Sequence, residues 1–122
     1  MFSIRQLRNC TIFKGAYKHT ETILGRIDAY GSIFMGINKN TETAWGRIDE
    51  YGTIFIGMYK GTEITWGRID KYGTIFIGRF EHTQTIWGRI DEYGTIFIGI
   101  YASSHTTWGR VNLSNFLNDE LI

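Results

Sequence analysis

The chain has 122 residues with 15 Gly, no Pro, one Cys, 4 Trp, 7 Tyr and 8 Phe, and 13 Lys+Arg against 12 Asp+Glu for a net charge of +1. This size suits one domain spanning 1–122, and the composition excludes a collagen-like or Pro-rich disordered chain. The lone Cys10 excludes an intrachain disulfide framework and a thiolate zinc cluster, and the charge balance makes no case for nucleic acid.

The first residues, Met1-Phe2-Ser3-Ile4-Arg5, show no basic flank followed by an apolar block. No stretch approaches the ~20 apolar residues of a membrane span, so the expected location is cytoplasmic. From about residue 3 to 112 the chain repeats with a step of 21 residues. Thr11-Ile12-Phe13-Lys14-Gly15 returns at Ser32–Gly36, Thr53–Gly57, Thr74–Gly78 and Thr95–Gly99. Between these blocks Gly25-Arg26-Ile27-Asp28-Ala29-Tyr30-Gly31 returns at 46–52, 67–73 and 88–94, and Gly109-Arg110-Val111-Asn112 is a truncated fifth copy. Trp45, Trp66, Trp87 and Trp108 precede their glycines, and Leu24 takes that place in the first copy. A short fixed period means stacked units that cannot bury their apolar faces alone.

Each unit predicts two strands, for example Thr74–Phe80 and Thr83–Asp91, rich in β-branched and aromatic residues. Asp91-Glu92-Tyr93-Gly94 suits a type I turn closed by a left-handed glycine, a three-residue loop with a bulge. On the opposite side Lys18-His19, Lys39-Asn40, Lys60-Gly61, Glu81-His82 and Ala102-Ser103 predict two-residue loops. In this register Ile69 faces Ile75, Arg68 faces Phe76, Trp66 faces Gly78, Phe76 faces Trp87 and Ile77 faces Ile86. One sheet face then carries Thr, Phe, Trp, Arg and Asp, and the other carries isoleucine. Lys14 and Arg79 fall on the isoleucine face near strand ends, where they can snorkel outwards.

Phe55-Ile56-Gly57-Met58-Tyr59-Lys60-Gly61, with Trp66-Gly67 and the Asp70-Lys71-Tyr72-Gly73 turn after it, resembles the MORN (membrane occupation and recognition nexus) repeat. The resemblance runs from roughly residue 30 to 112. It implies an open, twisted single-layer β-meander acting as a scaffold or membrane-proximal adaptor without catalysis.

The expected fold is therefore all-β, an antiparallel up-and-down meander of about 10–11 strands built from 21-residue hairpins. The isoleucine face needs a cover, because soluble proteins rarely expose apolar patches of that size. The first expectation is an open, curled sheet whose face is buried in a homodimer, and the alternative is a closed β-barrel. Leu113, Phe116, Leu117 and Leu121 fall at helical spacing, so a short capping helix is expected over about 113–122, with Asn112 or Ser114 as its N-cap.

Catalysis finds little support. The periodic Asp28, Asp49, Asp70 and Asp91 each open a turn where Asp is favoured for backbone hydrogen bonding, and no cofactor or metal is expected. His19, His82 and His105 read as solvated loop residues. The candidate binding residues are two rows: Trp45, Arg47, Asp49, Trp66, Arg68, Asp70, Trp87, Arg89 and Asp91 on one face, and Tyr51, Tyr72 and Tyr93 along the turns. Flat rings with charged hydrogen-bonding groups between them suit a protein surface or a glycan. Three functions follow in order: a non-enzymatic scaffold for protein contact or self-assembly, a glycan-binding module, and a barrel holding an apolar ligand.

Overall fold

The turns organise the molecule, and they form as the sequence predicts. In the computed structural model, which describes residues 2–38, 40–57, 60–99 and 105–114, Gly94 N–H donates to the Asp91 carbonyl at 3.1 Å. Asp91 Oδ1 accepts from Tyr93 N–H at 3.0 Å and from Thr95 N–H at 2.9 Å. Asp28, Asp49 and Asp70 repeat the pattern. Each carboxylate thus satisfies two backbone donors that a tight turn leaves unpaired. The closing glycine is obligatory. Gly94 has φ of 91°, and a Cβ there would lie 2.2 Å from the Val111 carbonyl oxygen.

Among the described residues ten strands run between these turns: β1 (Cys10–Lys14), β2 (Thr22–Ile27), β3 (Ser32–Met35), β4 (Thr43–Ile48), β5 (Thr53–Ile56), β6 (Ile64–Ile69), β7 (Thr74–Ile77), β8 (Thr85–Ile90), β9 (Thr95–Ile98) and β10 (Thr106–Val111). Every strand pairs antiparallel with its chain neighbours, and β1 also pairs with β10, so the meander closes into a barrel. The open sheet of the first expectation is replaced by the closed alternative. Closure puts the isoleucine face inside one chain, which removes the need for a second copy to cover it.

The reason for closure lies in a bulge that strict two-residue alternation does not predict. Across β7 and β8, Ile75 faces Gly88 but Phe76 faces Ile86, so Trp87 is an extra residue opposite no partner. The same shift occurs at Leu24, Trp45, Trp66 and Trp108. A bulge bends its strand and increases the local twist, and five equal bends close the sheet. Gly67 permits the bend: a Cβ there would lie 2.0 Å from the Phe76 carbonyl oxygen. The two-residue loops also give way. Seven residues, 78–84, separate β7 from β8 and contain a 3-10 turn at Glu81–Thr83.

Closure keeps the repeat register. Gly109, Arg110 and Val111 face Lys14, Phe13 and Ile12, just as Gly88, Arg89 and Ile90 face Ile98, Phe97 and Ile96. The start of β1 and the end of β10 meet where a fifth Asp turn would stand. Asn112 supplies the missing side chain, its Oδ1 accepting from Thr11 N–H at 2.5 Å, as Asp91 does from Thr95. Asn112 is thus engaged in the seam rather than capping a helix. Of the expected C-terminal helix, only Leu113 and Ser114 are described, and they are not helical; 115–122 lie outside the described residues.

Ile12, Ile27, Ile33, Ile48, Ile54, Ile69, Ile75, Ile90, Ile96 and Val111 point inwards and are buried, two from each repeat. At the Asp-turn end, a 3-10 turn (Ile4–Leu7) folds under the barrel and buries Phe2 and Leu7. Ser3 N–H donates to Gln6 Oε1 at 2.9 Å, Arg8 Nη1 donates to the Ile48 carbonyl at 3.2 Å, and Leu113 packs against Gly94. No described helix is long and apolar enough to cross a membrane.

The bulge account makes a paired prediction. Gly67→Ala must push the Phe76 carbonyl away and should cost about 2–3 kcal/mol or more in a denaturation experiment. Gly61→Ala, with nothing within 4 Å of its Cβ position, should fall within about 0.5 kcal/mol of the parent. Equal costs at both sites would contradict the account.

Candidate functional site

The bulge decides which side of the wall each candidate residue occupies. Trp87 and Gly88 are consecutive yet both belong to the inner side, while Arg89 turns outwards. The Trp/Arg/Asp surface expected from simple alternation is therefore not formed. Trp45, Trp66, Trp87 and Trp108 pack against the isoleucine core. Their ring centroids stand 6.2, 6.3 and 5.9 Å apart in turn, edge to face at 67–72°. Their backbones lie two strands apart, about 9.6 Å, so the rings must lean together towards the lumen. Each contact contributes about 0.5–1.5 kcal/mol beyond burial.

Inside this arc lies a cavity of about 160 Å³. Its lining is wholly apolar, with Ile48, Ile69 and Ile90 on the wall, Leu7 at the plugged end and the four tryptophans above. The tryptophans are half-buried whereas the isoleucines beneath them are buried, so solvent approaches the lumen from the tryptophan end. Met35, Ile56, Ile77 and Ile98 occupy one repeat position at that mouth, and Lys14 occupies the same position in the first repeat.

The arginines form a girdle on the outer wall. Arg68 stacks on Phe76 with 4.0 Å from guanidinium carbon to ring centroid, as the register predicts. Arg26, Arg47, Arg89 and Arg110 stack likewise on Phe34, Phe55, Phe97 and Phe13 at 4.1–4.3 Å. Glu42, Glu63 and Glu21 pair with Arg26, Arg47 and Arg110 at 2.6–2.7 Å. Hydrogen bonds to Glu42 and Glu63 raise the affinity of Arg26 and Arg47 for their protons further. Gln84 takes the carboxylate's place for Arg68 at 2.8 Å, and His105 stacks on Phe97 at 4.3 Å in the next repeat. His19 and His82 stack on Tyr17 and Phe80 in the long loops. The girdle ties each hairpin to the next and around the seam, which gives these arginines a structural task.

At the Asp-turn end Tyr30, Tyr51, Tyr72 and Tyr93 stand 67–89% exposed around the rim. Asp49, Asp70 and Asp91 lie in the same turns but are occupied by backbone N–H groups. A depression beside the rim is lined by Arg5, Arg8, Glu50 and Tyr51. Among the described residues no group of three His, Cys, Asp or Glu is placed to hold a metal ion.

Cys10 stands where the other repeats have Gly31, Gly52, Gly73 and Gly94, and its thiol is buried. Burial pushes its pKa up to about 12. Stability from the neutral thiol is present in full below its ordinary pKa and is lost as pH rises towards 12. Cys10 should therefore resist a disulfide reagent at pH 8 in the native protein and react at once in denaturant; rapid native reaction would show that the seam opens. Comparison with family models, with curated proteins and with solved structures finds no match to this chain.

Proposed function

We propose that this chain is a non-enzymatic binding barrel that takes a small apolar molecule into its lumen through the tryptophan end. The observation that carries this reading is the cavity of about 160 Å³ with an entirely apolar lining beneath half-exposed tryptophans. A dry apolar cavity of roughly this size holds a benzene-sized molecule, whereas drug-sized ligands need about 300 Å³ or more. The ligand class is therefore a single ring or a short branched chain. The isoleucine wall supplies contact area, and the tryptophan edges supply oriented aromatic contacts. The turn aspartates support the non-enzymatic reading, since Oδ1 of each accepts two backbone N–H groups in its own turn.

The tyrosine rim favours a second reading, contact with a protein or glycan at the opposite end. Its four rings are presented at a repeat spacing beside a depression holding Arg5, Arg8 and Glu50. For self-association too, the exposed rim is the available surface, because the isoleucines are enclosed.

Toluene at near-saturating concentration should raise the melting temperature by about 2–5 °C. Ile54→Phe, which fills the lumen, should abolish that rise. A melting temperature unmoved by toluene, or moved equally in Ile54→Phe, would overturn the lumen as the binding site.

A further inference from the structure

Two departures from the repeat fall on neighbouring strands at the mouth of the lumen. The aromatic arc of Trp45, Trp66, Trp87 and Trp108 is broken at Leu24 on β2, where the side chain is smaller than indole. On β1, Lys14 replaces the Met or Ile found at 35, 56, 77 and 98. Because β1 lies between β10 and β2, Lys14 stands between Trp108 and the Leu24 gap. Cys10 and Ile12 on β1 are buried, and Lys14, next on the same side, is exposed at the mouth with its ammonium 6.0 Å from the centroid of the Trp108 ring, which itself lines the cavity.

At the plugged end Arg8 donates to the Ile48 carbonyl, whereas at the mouth Lys14 is the charged residue at the repeat position that Met35, Ile56, Ile77 and Ile98 occupy elsewhere. Among the described residues it forms no ion pair with a carboxylate, although three girdle arginines do. At this end Glu21, Glu42 and Glu63 are held on the outer wall by Arg110, Arg26 and Arg47.

We propose that the lumen selects a small apolar carboxylic acid, bound with its ring or branched tail among the isoleucines and its carboxylate on Lys14 Nζ beside the Leu24 gap. This rests on the lumen reading above and adds its chemical class. A neutral hydrocarbon would leave the ammonium facing solvent. A carboxylate leaving the lumen at this point meets it without being drawn into the apolar interior, so neither charge has to be buried.

The test compares three probes by tryptophan fluorescence titration at low salt: phenylacetate, the near-isosteric phenylacetamide, and toluene. The parent protein should bind phenylacetate about fivefold more tightly than phenylacetamide, the scale of a solvent-exposed ion pair. Lys14→Met copies Met35 at the equivalent position and should fold normally. It should remove the preference while leaving toluene affinity unchanged. Toluene binding without a phenylacetate preference, or a preference that survives Lys14→Met, overturns the carboxylate assignment alone. Failure of all three probes overturns the lumen reading and the carboxylate assignment together.

Discussion

The pairing of β1 with β10 is the constraint on which everything else in the molecule depends. It converts a linear array into a ring, and it does so without leaving the 21-residue register. Arg110 reaches Phe13 and Glu21 as Arg47 reaches Phe55 and Glu63. Gly15 N–H donates to the Trp108 carbonyl as Gly99 N–H does to that of Trp87. A repeat array normally ends in two exposed edges that need caps. Here the two edges satisfy each other, and the isoleucine face that an open sheet would present to water becomes the core.

What was legible in the sequence and what was not follow from the range of the interactions involved. The Asp-x-Tyr-Gly turns are local: one carboxylate, two N–H groups and a glycine of positive φ lie within five residues, so their chemistry is readable in Asp91 to Thr95. The Arg68–Phe76 contact follows directly from that turn's register. The bulge at Trp87 is different, because an extra residue in one strand is detectable only against its partner. Strict alternation put Trp87 outside with Arg89 and left Ile86 inside, whereas Ile86 is 39% exposed and the indole is within. The cue was the adjacent Gly88, a strand glycine whose Cβ would collide with the Phe97 carbonyl, a usual mark of a bulge or close approach. Closure was open as an alternative for the same reason, since the curvature comes from the bulges. The N-terminal plug of Phe2 and Leu7 lies outside the repeat and carries no periodic signal.

The same geometry separates three chemical environments by a single wall. Outside, stacked arginines and phenylalanines stiffen the hairpins. At the Asp-turn end, the tyrosines ring a plugged floor. Inside, side chains from every repeat converge on one small apolar space, which no single 21-residue unit could enclose. The deviations from five-fold repetition then acquire meaning by position. Gln84 and His105 vary the outer girdle, where water tolerates variety, whereas Leu24 and Lys14 alter the rim of the lumen, where one charge changes what can enter.

The closed ring is tested most directly by solution NMR across the seam. The account predicts short cross-strand contacts between the backbones of Ile12 and Val111 and of Phe13 and Arg110. The β1 amides facing β10 should exchange as slowly as their counterparts in β9 facing β8. Absence of those contacts, with fast exchange along the outer edges of β1 and β10 while the other pairings remain protected, would mean an open meander and would contradict the account.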